Sequence, residues 1–332
     1  SSDLKLKTIT FIIMRDRTGF VQCIAENNAV DMSAIKLESV ISIFGEVKKD
    51  KNVLNPYEIV IEEFEIINSA TEELPIEINK STLDINLDTM LDNRVLSLRH
   101  EKSNSIFKIQ NLIVQGFRDF LTKEGFTEIF TPKIVAEGAE GGTEVFELKY
   151  FEKKAYLAQS PQFYKQMMVG AGFERVFEVA HVYRAEEHNT SRHLNEYVSM
   201  DCEMGFIEDE KDIMDLEENL IIFIINKIFQ EGKKYLKILN VDLPKLNIKI
   251  PRIKFSKALE ILSTEYNKSD LDGDLDPDAE KLICKYSKEK LGCDFIFLTH
   301  YPRKKRPMYT MPLGETETQD RKSTRLNSSH NH

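Results

Sequence analysis

Residues 183–204 read YRAEEHNTSRHLNEYVSMDCEM. Two arginines and five carboxylates crowd into this one stretch, and its apolar residues do not run long enough for a buried helix. FERVFEVAHVYRAEE (173–187) and LNEYVSMDCEMGFI (194–207) read as the two strands of a hairpin, joined by the polar loop HNTSRH (188–193). Period-two alternation puts Asp201 and Glu203 on one face and ends the first strand at Arg184. Cations, carboxylates and a loop bearing Arg192 and His193 suit the holding of a polyphosphate beside a zwitterion. Read alone, the stretch suits a solvated, salt-bridged hairpin equally well.

Working outward, SNSIFKIQNLIVQGFRDFLTKEGF (103–126) carries Ile106, Ile109, Leu112, Ile113, Phe117 and Phe120 at helical spacing, with Ser103 as its N-cap. Strands are expected near 127–130, 145–150, 154–158, 176–184 and 195–207. Helices are expected at 161–171, 210–233 and 256–265, and near 278–290. Hairpin-length connections favour a largely antiparallel sheet. On the N-terminal side, residues 5–15 and 20–25 read as strands around the turn Asp16-Arg17-Thr18-Gly19. Further strands are read at 37–49 and 57–67, the latter alternating around Ile59, Ile61 and Phe64. Several short strands in so little chain fit a small barrel of the OB type, or another small β domain. Residues 69–95 are polar and without a sustained period, and read as a hinge or linker.

A chain of 332 residues is long enough for two domains. It contains no apolar run of about 18 residues, so no membrane span is expected. The four cysteines are scattered with no CxxC pair, which fits free thiols in a reducing compartment better than a disulfide framework or a zinc site. A formal net charge of −10 argues against a general nucleic-acid coat protein but leaves room for local basic patches. The first residues, SSDLKLK, form no signal peptide and include no initiator methionine, which points to a fragment.

YRAE, a polar loop ending in RHLNE, and MDCEM resemble the second signature motif of the class II aminoacyl-tRNA synthetases, in the form found in aspartyl-tRNA synthetases of archaeal and eukaryotic type. Further segments are similar in the same order. GFTEIFTPKI (125–134) resembles the first motif, and EGGTEVFELKYFEKKAYLAQSPQFYKQ (140–166) the amino-acid-binding region. LDNRVLSLR (91–99) and THYPRKKRPMYTMP (299–312) resemble the same group. The resemblance implies a multidomain α+β protein. An N-terminal OB-fold β-barrel, lacking its first strand, would span 1–68 and bind the anticodon. A linker would follow at 69–95, then a class II antiparallel sheet flanked by helices at 96–319.

The same resemblance implies residue roles. Arg184 would hold the α-phosphate of ATP and the carbonyl under attack, with Glu186 beside it. Arg192 and His193 would meet the γ-phosphate, and Tyr197 would stack on adenine. Asp201 would bind the α-ammonium of L-aspartate, and Glu203 is a candidate magnesium or network residue. Gln162 and Lys165 lie three apart and share a helical face. A lysine in the pocket would pair with a side-chain carboxylate and be left unpaired by an amide, which favours aspartate over asparagine. Glu140 matches a mobile loop that closes over the substrate. Phe11, Gln22 and Glu58 match positions that stack on or hydrogen-bond anticodon bases, although Phe11 also suits a core position. Pro132 matches the end of the dimer-interface strand, so a homodimer is implied. Mg2+ would accompany ATP. The implied activity is cytoplasmic charging of tRNA(Asp), and of tRNA(Asn) in a non-discriminating enzyme. The rival readings are an asparaginyl-tRNA synthetase and a non-catalytic tRNA-binding or dimerising fragment.

The family's third motif, glycine-rich and ending in arginine, has no counterpart, and the metal ligands expected near it are missing too. The chain is therefore expected to be truncated at both ends and inactive as it stands. Residues 320–332 have no hydrophobic period; DRKSTRLNSSH (320–330) back-translates to a common sequencing-library adaptor and is expected to be non-native.

Overall fold

The computed structural model describes residues 9–26, 35–49, 56–80, 82–138, 145–186, 194–244, 249–269, 271, 273–306, 310–314 and 317–319. The chain divides into two compact units, Ser1–Asn104 and Ser105–His332.

In the first unit, β1 (Ile9–Arg15), β2 (Phe20–Glu26), β3 (Val40–Lys49) and β4 (Tyr57–Asn68) form a sheet in the order β1-β2-β4-β3. Among the described residues this sheet is open, β1 and β3 being its two edges, as suits a barrel expected to be incomplete. Asp16 builds the turn between β1 and β2: its Oδ1 accepts from the Thr18 and Gly19 backbone N–H at 2.7 and 3.1 Å, and from the Thr18 hydroxyl at 2.6 Å. β2 and β4 run parallel, with Cys23 opposite Ile59. Cys23, Ala25 and Ile61 are buried, and Ile12, Met14, Val21, Ile43, Ile59 and Phe64 pack against them.

Strict alternation would put Ile61 and Phe64 on opposite faces. The ladder steps from Phe44–Glu63 to Gly45–Ile61, leaving Glu62 as an extra bulged residue, so Phe64 returns to the core face. Gly45 sits at the step because a Cβ there would lie 2.1 Å from the Val60 carbonyl oxygen. After β4, the polar stretch is more ordered than its composition implies. Ile76 and Ile78 are buried. Asn86 caps a short helix α1 (Leu87–Asp92), its Oδ1 accepting from the Thr89 N–H at 2.8 Å, and α2 (Arg94–Ser97) follows. Glu38 is held by Arg15 at 2.8 Å and Arg99 at 2.9 Å.

Helix α3 (Glu101–Lys123), most of which belongs to the second unit, starts two residues before the N-cap read at Ser103. It is followed by β5 (Thr127–Glu128), β6 (Ile134–Val135), β7 (Glu147–Tyr150), β8 (Lys153–Leu157), α4 (Gln162–Met168), β9 (Arg175–Tyr183) and β10 (Glu196–Met204). β9 and β10 are antiparallel over their whole length, and β5 joins β9 in parallel. One face of the hairpin packs on helices. Phe177, Val179, Cys202 and Met204 join Phe117, Phe120 and Leu121 of α3 and Leu220 of α5 (Glu210–Glu231). Phe117 meets Phe177 edge to face with ring centroids 5.8 Å apart. Each such buried ring contributes about 2–3 kcal/mol of transfer free energy. Asp209 caps α5 by accepting from the Lys211 N–H at 2.8 Å.

Further along come α6 (Lys233–Leu239), β11 (Arg252–Lys254), α7 (Phe255–Tyr266), α8 (Pro277–Tyr286) and β12 (Phe297–Thr299). β11 and β12 pair in parallel, with α7 and α8 crossing between them over a core of Phe255, Leu262, Ile283 and Ile296. The antiparallel reading thus holds for the β9–β10 hairpin and for the β6-β8-β7 sheet, while β5–β9 and β11–β12 are parallel additions.

Candidate functional site

Packing one face of the hairpin on helices leaves the other for chemistry. In register, that face carries Val176, Glu178, Ala180 and Val182 on β9, opposite Glu203, Asp201, Ser199 and Tyr197 on β10. Arg184 follows in the same alternation just beyond β9.

Helix α4 lies against this face and begins directly after Pro161, in the segment Ser160-Pro161-Gln162. It points Lys165, only 4% exposed, into the carboxylates. The Lys165 ammonium donates to Asp201 Oδ1, lies 3.3 Å from Glu203 Oε2, and reaches the Cys202 carbonyl at 3.4 Å. Gln162, one turn earlier on the same helix face, has its Nε2 at 3.5 Å from Glu203 Oε2. Burial pulls the lysine toward its neutral form; Asp201 and then Glu203 outweigh it and raise its pKa above the usual value. Lys165 is therefore a charged cation in a sheltered pocket. Its contacts to Glu203 and the Cys202 carbonyl are the longer ones and the easier to exchange for a ligand oxygen.

Beside the pocket, the Arg184 backbone N–H donates to the Asn195 carbonyl at 2.9 Å, and the Arg184 guanidinium lies 4.0 Å from Glu186 Oε1. The Asn195 side-chain nitrogen, in the orientation that satisfies its surroundings, donates to the carbonyls of Arg184 and Glu186 at 3.2 and 2.9 Å. Asn195 thus fixes the backbone on which both residues stand. Tyr197 is half-buried opposite Val182. Pro132 is exposed, between Phe130 (84% exposed) and Ile134 (49%).

Gln162, Lys165, Arg184, Glu186, Tyr197 and Asp201 thus belong to one hairpin face and the helix laid on it. Glu140, Arg192 and His193 lie outside the described residues, as does the segment 320–332. Residue-by-residue reading missed Glu178 and Asn195. The signal available for Glu178 was a carboxylate at an inward step of an otherwise apolar strand. Among the described residues, no group of three or more His, Cys, Asp or Glu could hold a metal, and Asp201 and Glu203 are engaged by Lys165. These residues do not fit a magnesium site.

In the first unit, Gln22 pairs with Glu58 and Phe11 with Ile24, so Phe11, Gln22 and Glu58 share the sheet face opposite Cys23 and Ile59. The Gln22 amide donates to Glu58 Oε2 at 3.4 Å, and all three side chains are half-buried. Phe11 is therefore not part of the buried core.

The chain is similar to several known proteins. It is 45% identical over 304 residues to the aspartate–tRNA(Asp/Asn) ligase of Deinococcus radiodurans, covering 92% of this chain and 69% of that protein. It is 44% identical over 313 residues to the aspartate–tRNA(Asp) ligase of Pyrococcus horikoshii, with 92% and 71% covered. The crystal structure of asparaginyl-tRNA synthetase from Pyrococcus horikoshii with asparaginyl-adenylate superposes with a TM-score of 0.84 at 28% identity, covering 96% of this chain and 74% of that one. The model of OB-fold nucleic acid binding domains matches residues 4–67. The model of class II tRNA synthetases (D, K and N) matches residues 86–330, and the chain belongs to that family.

Proposed function

We propose that this protein is an aspartate–tRNA ligase: it joins L-aspartate to ATP as aspartyl-adenylate, releasing pyrophosphate, and passes the aspartyl group to the 3′ end of tRNA(Asp). The observation that carries the choice of amino acid is the sheltered Lys165 cation between Asp201 and Glu203. A side-chain carboxylate entering this pocket gains a charge-assisted partner, whereas an amide offers only a neutral oxygen. Asparagine would also bring an NH2 group against the lysine, which has no acceptor for it.

In this reading, Asp201 faces the α-ammonium and Gln162 helps to orient the amino acid, with Glu140 closing over it. Arg184 meets the α-phosphate of ATP, where negative charge builds as the aspartate carboxylate attacks. Asn195 and Glu186 hold that arginine in place, while Tyr197 supports adenine and Arg192 and His193 the γ-phosphate. No protein nucleophile is required; positioning and charge neutralisation carry the step. Magnesium enters as a partner of the ATP substrate, without a ligand set among the described residues.

The face carrying Phe11, Gln22 and Glu58 takes the anticodon bases by stacking and edge hydrogen bonds. Exposed Phe130, Pro132 and Ile134 mark the surface on which two copies pair. Cys23, Cys202, Cys284 and Cys293 are not joined in disulfides, as suits a cytoplasmic protein.

ATP–pyrophosphate exchange with each amino acid tests the proposal. Exchange driven by aspartate and not by asparagine supports it; exchange driven by asparagine alone overturns it in favour of the asparaginyl reading, and no exchange with either favours the non-catalytic fragment expected of a truncated chain. The two ligases described above carry different tRNA specificities in their names, and charging of purified tRNA(Asp) and tRNA(Asn) separates them here.

A further inference from the structure

Glu178 is buried on β9, directly opposite Asp201 in the ladder. Residues so paired share a face with Cβ atoms about 4.5–5.5 Å apart, and like charges in that relation repel. Two lysines answer the two carboxylates. Lys165 comes from α4 to Asp201. Lys133 comes from the segment that follows β5, and its Nζ lies 2.7 Å from Glu178 Oε2.

Thr131 completes the arrangement. Its backbone N–H donates to Glu178 Oε1 at 2.7 Å, its hydroxyl lies 3.1 and 2.9 Å from the two carboxylate oxygens, and it accepts from Lys133 Nζ at 2.8 Å. The Lys133 carbonyl accepts from the Ala158 N–H at 3.0 Å, which fixes the backbone bearing the lysine. Besides Glu178, Asp201 and Glu203, the paired residues of this face, Val176, Ala180 and Val182 on β9 and Ser199 and Tyr197 on β10, carry no charge.

We propose that Lys133 and Thr131 act through Glu178 as positioning residues for the amino-acid pocket. By neutralising the carboxylate that faces Asp201, they leave Lys165 committed to Asp201, Glu203 and the incoming ligand. Without Lys133, the Glu178 charge adds to those of Asp201 and Glu203 and draws on Lys165, which then has less to offer an anionic side chain. The inference goes beyond the roles assigned above and rests on the aspartate reading only for its readout.

The test is a charge-compensated pair of substitutions in the full chain, read by calorimetric titration with L-aspartate and by the KM for aspartate and for ATP in pyrophosphate exchange. Lys133→Met is expected to weaken aspartate binding and raise its KM by about tenfold, with the ATP KM unchanged. Lys133→Met combined with Glu178→Gln is expected to recover most of that loss. Lys133→Arg, which keeps the charge, is expected to stay close to the parent. A merely structural role predicts the opposite order, with the double variant worse than either single one.

A parent that binds no aspartate overturns the pocket assignment and this inference together. A parent that binds aspartate overturns this inference alone if Lys133→Met binds equally well or if the double variant shows no recovery.

Discussion

The β9–β10 hairpin of the second unit and the four-stranded sheet of the first solve the same problem differently. Each buries one face. In the hairpin, that face is Phe177, Val179, Cys202 and Met204 against helices. In the sheet, it is Cys23, Ala25 and Ile61 with their neighbours. The opposite faces diverge. The hairpin's carries three carboxylates, Glu178, Asp201 and Glu203, balanced by two lysines brought from other elements. The sheet's includes Phe11, Gln22 and Glu58, with the Gln22–Glu58 pair lying within the sheet itself. A pocket of compensated charge is suited to a small zwitterion and depends on every member. A half-exposed ring and amide are suited to a base, and tolerate the loss of one member more readily.

That difference predicts a ranking of effects. Lys165→Met should be the most damaging change. It strands Asp201 and Glu203 without their cation, with an expected loss of about 3 kcal/mol of stability in denaturant titration. Aspartate-dependent exchange should fall below detection in the same variant. The sign of the pH dependence follows from the raised pKa of Lys165. Its contribution is fully present below the usual lysine value, 10.5, and is lost as pH rises through the higher folded value. The stability gap between parent and Lys165→Met should therefore stay constant from about pH 7 to 9 in parallel melts.

Arg184→Ala should come next, lowering the exchange rate by about 100-fold or more with little change in the KM for aspartate. Equal damage to aspartate binding would show that the arginine serves the amino-acid pocket instead. Phe11→Ala should act only through tRNA. Its KM in charging should rise by about tenfold while pyrophosphate exchange stays at the parental level. A loss of exchange in this variant would break the division of labour between the two faces.

The smallest effect concerns the thiols. Burial pushes Cys23 up to about 11, and burial together with Asp201 pushes Cys202 up to about 12. Neither should be alkylated at pH 8 in the folded protein, as mass spectrometry of iodoacetamide-treated samples would show. Rapid labelling of Cys202 would mean that the hairpin opens away from its helices.

Local patterns were readable along the chain, and partnerships between distant segments were not. The hairpin announced itself by alternation, and Lys165 by its place one helical turn after Gln162. The balance around Glu178 was hidden because Thr131 and Lys133 lie 47 and 45 residues away, and no local period links them. The β4 bulge was hidden for a related reason. Ile61 and Phe64 both read as core residues, but only the step opposite Gly45 shows how residues of opposite parity reach one face. The 69–95 stretch looked featureless because its helix is six residues long and is set by one cap, Asn86, too short to leave a periodic signature.

The most direct test of the central claim is calorimetric titration of the parent and the Lys165→Met variant with L-aspartate and with L-asparagine. The account predicts that the parent binds aspartate about 100-fold or more tightly than asparagine and that the substitution abolishes the preference. Equal affinity of the parent for both amino acids, or an undiminished preference in the variant, would contradict it.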